Sequence, residues 1–256
     1  DHVDLSVRPG ETVGLIGHNG AGKTTFFDLV CGFLSPQGGR VLVDGEDVTS
    51  FPPYERAWAG LGRSFQDARL FPTLTVQETI PVSLERHLTS REPFAAALRM
   101  PASTDSEASV AEQVEKVIEQ LGLAAFRNRP IGELSTGTRR IVELACIIAQ
   151  KPSVLLLDEP SGGVAQAETE ALGGLLRQVA ADTGCALVVI EHDMAMLSSL
   201  CDRLVALHLG RVIAEGPPSE VLSHPEVIAS YLGTDTATIE RSGRRKAPTG
   251  RRPSKV

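Results

Sequence analysis

Apolar positions in this chain fall into two kinds of run. Thr12 to Ile16 (TVGLI), Val154 to Leu157, Ala186 to Ile190 and Leu204 to Leu207 are short and almost wholly apolar, the pattern of strands buried on both faces of a parallel sheet. Val41-Leu42-Val43-Asp44-Gly45 reads as a strand ending in a turn, and Leu61 to Phe65 as another strand ending at Gln66. Elsewhere the spacing is helical. Thr24 to Gly32 reads as a helix, and Val76 to Leu123 as helical with one polar interruption at Pro101 to Ser109. Val110, Val114, Val117, Ile118 and Leu121 make one apolar stripe, and Arg139 to Gln150 carries Ile141, Leu144, Ala145 and Ile148 on one side. Strands alternating with helices predict an α/β core. The expected division is a core of residues 1–66 and 151–235, an inserted helical lobe at 67–150, and a tail at 236–256.

Composition narrows the field. Hydrophobic residues make up 42% of 256, which fits an ordinary globular chain. No apolar run approaches the roughly 20 residues of a spanning helix, so contact with a membrane is expected only through a partner. The chain opens on Asp1-His2-Val3-Asp4, with no signal peptide; the lack of an opening Met makes a piece of something longer the expectation. A formal charge of −7 argues against a general nucleic-acid binder. Cys31, Cys146, Cys185 and Cys201 lie far apart among apolar neighbours, which predicts buried free thiols in a reducing compartment. The tail carries Arg241, Arg244, Arg245, Lys246, Arg251, Arg252 and Lys255 and no acid after Glu240. It reads as a solvated, disordered tail; the other reading is a basic strip on anionic lipid headgroups.

The chemistry sits at strand ends. Gly17-His18-Asn19-Gly20-Ala21-Gly22-Lys23-Thr24, followed by Thr25, fits a phosphate loop in full. Glycines let backbone N–H groups curl inward around phosphate oxygens, and the following helix offers its positive end to the same anion. Lys23 can reach the β- and γ-phosphates, and the Thr24 hydroxyl can hold Mg²⁺. Val154-Leu155-Leu156-Leu157 then delivers Asp158, which can hold the metal through its water shell. Glu159, one residue on, is placed to polarise an attacking water.

With Gln66, Leu134-Ser135-Thr136-Gly137-Thr138 and His192 added in this order, the sequence up to about Gly233 resembles the ATP-binding-cassette (ABC) ATPases. The resemblance implies a phosphate-loop NTPase (RecA-like) core with an antiparallel β subdomain and an inserted α-helical lobe. It implies an ATP-hydrolysing subunit with ATP and Mg²⁺ bound, transmembrane permease subunits and a second cassette as partners, and a peripheral place on the cytoplasmic face of the inner or plasma membrane. Gln66 would sense Mg²⁺ and the attacking water. Ser135, Thr136 and Gly137 would bind the γ-phosphate held by the opposite subunit, and His192 would contact the γ-phosphate and steady Glu159.

The finer resemblance is to the ATPase subunits of branched-chain amino acid importers. It rests on Leu-Ser-Thr-Gly-Thr at 134–138, Arg63-Ser64-Phe65-Gln66 leading to Leu70-Phe71-Pro72, Glu191-His192-Asp193-Met194 and Tyr231-Leu232-Gly233. Lipopolysaccharide exporters share several of these signals and remain an alternative. Two departures matter. No aromatic residue precedes Gly17, so the usual adenine-stacking platform and its strand are missing from the sequence. Ala165 also stands where the family usually has aspartate, which puts coupling between the two sites in question. A cassette that binds ATP without turnover therefore stays open as a rival, and so does a soluble ATPase of DNA repair or translation, although a second cassette and a long coiled coil are both absent from the sequence.

Overall fold

The computed structural model describes residues 1–65, 70–84, 101–164 and 166–231. Gln66, Ala165, Leu232, Gly233 and the expected tail lie outside these residues. The strands are β1 (Thr12–Ile16), β2 (Leu42–Val43), β3 (Glu46–Asp47), β4 (Leu61–Arg63), β5 (Val154–Asp158), β6 (Ala186–Ile190), β7 (Arg203–His208) and β8 (Arg211–Gly216). The helices are α1 (Lys23–Cys31), α2 (Pro53–Trp58), α3 (Val76–Leu84), α4 (Pro101–Gln120), α5 (Thr136–Ile148), α6 (Gln166–Thr183), α7 (Met194–Leu200) and α8 (Pro218–Leu222), with a last helical stretch at 225–231.

Six strands form one sheet in the order β4-β5-β6-β1-β7-β8, parallel except for β8. β6 separates β1, which leads into the phosphate loop, from β5, which ends on Asp158. The apolar runs are strands because both faces are buried, and successive side chains point to opposite layers. Leu155, Leu157, Leu187, Val189 and Leu204 join one cluster with α5, α6 and α7, whereas Leu156, Val188, Ile190 and Val205 join a second with Phe27 of α1. Gly14 allows this layering, since a Cβ there would run into Leu204 of the neighbouring strand.

A separate antiparallel hairpin joins β2 and β3, turned by Asp44 (φ 50°) and Gly45 (φ 84°). Positive φ at both central residues is the type I′ geometry that matches the strand twist. Val3, Leu5 and Val7 pack on the α1-side cluster. On the other side, α3, α4 and α5 share the larger cluster through Ile80, Leu84, Val114, Ile118, Val142 and Leu144.

Residues 101–109, read from the sequence as a polar interruption, are helical: α4 starts at Pro101. Proline at the first helical position lacks only an N–H that has no helical partner there. The helix expected to open at Arg139 starts at Thr136, because the Ser135 hydroxyl caps it by accepting from Thr138 N–H at 3.1 Å. All four cysteines are buried and unbridged; burial pushes the Cys31 thiol up to about 11 and those of Cys146, Cys185 and Cys201 to about 12. Among the described residues no helix is long and apolar enough to cross a membrane.

Candidate functional site

The sheet brings the carboxyl ends of β1, β5 and β6 together. Their register sets Leu15 and Asp158 both opposite Ile190, so the residues that follow each strand emerge at one edge, where open α/β sheets bind ligands. Asn19, Gly20, Ala21, Gly22, Lys23, Thr24, Thr25, Glu159 and Ile190 line an open cavity of about 210 Å³ there.

Positive φ at Gly20 (87°) and Gly22 (105°) turns the loop back on itself. Gly22 caps α1 with no side-chain hydrogen bond, leaving the first-turn N–H groups to an incoming anion. Gly17 is closed in from behind, since a Cβ on it would meet the Leu207 carbonyl and Ala21. Lys23 Nζ donates to the carbonyls of Gly17 (2.5 Å) and His18 (3.3 Å). Burial lowers the pKa of Lys23, while the charges of Glu159 and Asp158 pull it back up. Thr24 and Thr25 are exposed. His18 lies along the loop, with Nδ1 2.7 Å from the Asn19 carbonyl oxygen and Nε2 3.0 Å from His208 Nδ1.

Asp158 is buried at the end of β5. Burial raises its pKa; Arg63 opposes that, and Glu159 adds to it. Glu159 follows with φ 49°, a conformation that a side chain other than glycine adopts only at a cost, and its N–H donates to the Ile190 carbonyl at 2.9 Å. The turn aims the carboxylate into the cavity, where Oε1 stands 3.1 Å from His192 Nε2.

Two residues to which the sequence motifs gave no role of their own set this geometry. Glu191 is buried and accepts from Ser161 N–H (2.7 Å) and His192 N–H (3.0 Å), tying the turn after Glu159 to the turn that carries His192. Arg63 donates to Asp28 at 2.6 Å, stands 3.8 Å from Asp158 and lies over the rings of Phe27, Phe33 and Phe65. Both were visible only as neighbours of Gln66 and His192. Asp193, beside them, caps α7 by accepting from Ala195 and Met196 N–H.

Ser135, Thr136 and Gly137 are not part of the cavity lining. Ser135 and Thr136 are exposed and Gly137 is a buried residue in the first turn of α5, so the side chains of Ser135 and Thr136 reach solvent. Gln66 lies outside the described residues; the backbone of Phe65, just before it, is held by Glu143 (3.2 Å, from Phe65 N–H) and Arg140 (2.6 Å, to the Phe65 carbonyl) on α5.

A model of the ABC transporter family matches residues 1–162. The chain belongs to that family. A second model, the branched-chain amino acid ATP-binding cassette transporter, matches residues 211–237 of the cassette. Among curated proteins the cassette is 37% identical to the high-affinity branched-chain amino acid transport ATP-binding protein BraF of Pseudomonas aeruginosa, covering 90% of each chain. It is 33% identical to LivG of Escherichia coli, named in the same way, covering 91% of each. Among solved structures it matches the ADP conformation of MJ1267, an ATP-binding cassette of an ABC transporter, with a TM-score of 0.76 and 29% identity over 90% and 91% of the two chains. The cassette therefore has the ABC ATPase fold and binds ATP.

Proposed function

We propose that this cassette hydrolyses ATP at residues 17–25, 158, 159 and 192 and that two cassettes, closed head to tail, drive a membrane permease that imports branched-chain amino acids. The observation that carries the catalytic reading is the 3.1 Å contact between His192 Nε2 and Glu159 Oε1 at the mouth of the phosphate-loop cavity. The names of the relatives support the transported substrate, and the exposure of Ser135 and Thr136 outside the cavity lining supports the second cassette. Attachment to the permease would place the cassette on the cytoplasmic face of the membrane.

The loop amides and Lys23 would take the β- and γ-phosphates of ATP, the substrate, by positioning and electrostatics. Glu159 would accept the proton of the attacking water, and His192 would hold that carboxylate and the γ-phosphate in line. The Ser135 hydroxyl with the Thr136 and Gly137 amides would complete the site of the other cassette, the head of α5 adding its dipole. No covalent enzyme intermediate is needed, because the water attacks phosphorus directly and the bond to ADP breaks.

The donors available for a metal are the Thr24 hydroxyl and the Asp158 carboxylate, with Gln66 from the sequence. These are hard oxygens, without thiol or imidazole, and such a set suits Mg²⁺ shared with phosphate oxygens. When bound, the ion neutralises phosphate charge. Its weight falls on Asp158, whose charged form burial disfavours.

Glu159→Gln tests the assignment. The variant is expected to bind ATP as tightly as the unchanged chain while turnover falls by about 10²–10⁴-fold, the usual range for a lost general base. Turnover within about tenfold of the original would remove Glu159 from that role.

A further inference from the structure

The phosphate loop is held from outside by the C-terminal part of the chain. The Gly17 N–H donates to Tyr231 Oη at 3.0 Å. His18 meets His208 at the end of β7, and in the turn that follows, Gly210 N–H donates to the Ala21 carbonyl at 2.8 Å. Residues 17–21 thus run inside a collar made by β7, its turn and the stretch at 225–231.

Within this collar Tyr231 has a particular place. Gly17 follows Ile16, the last residue of β1 to pair with a neighbouring strand, so its N–H is the first of the loop to need a partner from elsewhere. That partner comes from 214 residues away, inside the segment that the branched-chain family model matches. The Tyr231 ring is partly buried against the larger apolar cluster. Burial raises the phenol pKa and the Gly17 hydrogen bond draws it back, so the hydroxyl stays neutral at physiological pH and its oxygen accepts. With the Leu207 carbonyl closing Gly17 from behind, the first residue of the loop has little room to move.

We propose that Tyr231 is a positioning residue of the phosphate loop, through which the C-terminal segment sets the affinity of the cassette for ATP. The hydroxyl fixes Gly17, and Gly17 fixes the direction in which the amides of Asn19 to Lys23 point. Without it, a sheltered N–H is left unpaired and the loop shifts to satisfy it. The coupling runs both ways: what the C-terminal segment does to ATP affinity, ATP does to that segment.

The inference rests on residues 17–24 being the ATP site, which a Lys23→Ala control tests separately. A control that binds ATP undiminished removes that reading and the inference with it. Tyr231→Phe keeps the ring and deletes the hydroxyl. The expected result is ATP affinity weakened about fivefold, the loss of one ordinary hydrogen bond, with kcat at saturating ATP within about twofold. Unchanged affinity in a folded Tyr231→Phe protein overturns the proposal, even if its melting temperature falls.

A second measurement leaves the hydrogen bond in place. The chain has two tyrosines, and the other, Tyr54, is exposed beside Trp58 on α2. In Tyr54→Phe protein labelled with 3-fluorotyrosine, the single fluorine resonance reports Tyr231. It is expected to move when ATP is added. A resonance indifferent to saturating ATP means that the hydroxyl does not sense the loop, and the proposal fails.

Discussion

Arg56 is buried to 2% exposure and donates to four main-chain carbonyls, those of Leu29, Val30, Thr49 and Phe51. Leu29 and Val30 are in the last turn of α1, where helix carbonyls lack partners and the dipole is negative. One guanidinium therefore anchors the far end of the helix whose near end lines the cavity. Arg56→Met is expected to cost about 3 kcal/mol of stability, because it leaves several buried acceptors unpaired. A denaturant melt showing a loss below about 1 kcal/mol would contradict that role. Nothing in the sequence marks Arg56, since two of its partners lie 26 and 27 residues away. Glu191 is hidden for the same reason, whereas Lys23, Asp158 and Glu159 are legible because their chemistry is fixed by local spacing. Lys23 also carries a pH signature. Its folded pKa is lowered, with burial the leading cause, so its contribution to stability is present above the ordinary lysine pKa and is lost as pH falls through the folded value. Phosphate set against Nζ raises that pKa again. ATP binding should take up protons, increasingly as pH rises toward the lysine range, measured by calorimetry in buffers of different ionisation enthalpy. Zero uptake or proton release there would contradict the contact.

At the scale of elements, what could be read followed burial. β1, β5, β6 and β7 are almost wholly apolar because both faces are covered, so they stand out in the sequence. β8 pairs with β7 at the sheet edge and is only half-buried along most of its length, so its run Arg211–Gly216 lacks that signature. α2 has six residues, too few to show a helical period. The interruption expected in α4 came from the polar run at 101–109, which shows no apolar helical period although its backbone is helical. α5 began earlier than its apolar stripe because the cap, not the stripe, sets its start. That cap makes a double prediction. Ser135→Ala should cost about 1 kcal/mol of stability. It should also slow turnover while leaving ATP affinity of the single cassette unchanged, because Ser135 does not line the cavity of its own chain. Weakened ATP binding at low protein concentration would place Ser135 in its own chain's site instead.

For the whole molecule, the α/β class was legible from strands alternating with helices, but the order of strands in the sheet and the closures between distant parts were not. Residues 1–11 are tied to β7 by Glu11, which accepts from Arg203 at 2.6 Å; burial opposes the Glu11 charge, and the hydrogen bonds and charges of Arg203 and Arg8 together lower its pKa. Pairings across 192 residues depend on how the sheet is threaded, which local pattern does not encode. The same limit applies between molecules. The phosphate loop, Glu159 and His192 converge in one chain, while Ser135, Thr136 and Gly137 are absent from the cavity lining, and under the proposed function they belong to the site of a second chain. The measurement that tests this most directly is Mg²⁺-dependent ATP hydrolysis followed against protein concentration at saturating ATP. Turnover rising faster than linearly is the predicted result, since only the pair is active. Turnover strictly proportional to concentration, down to the range where the protein is monomeric by light scattering, would mean that one cassette completes its own site.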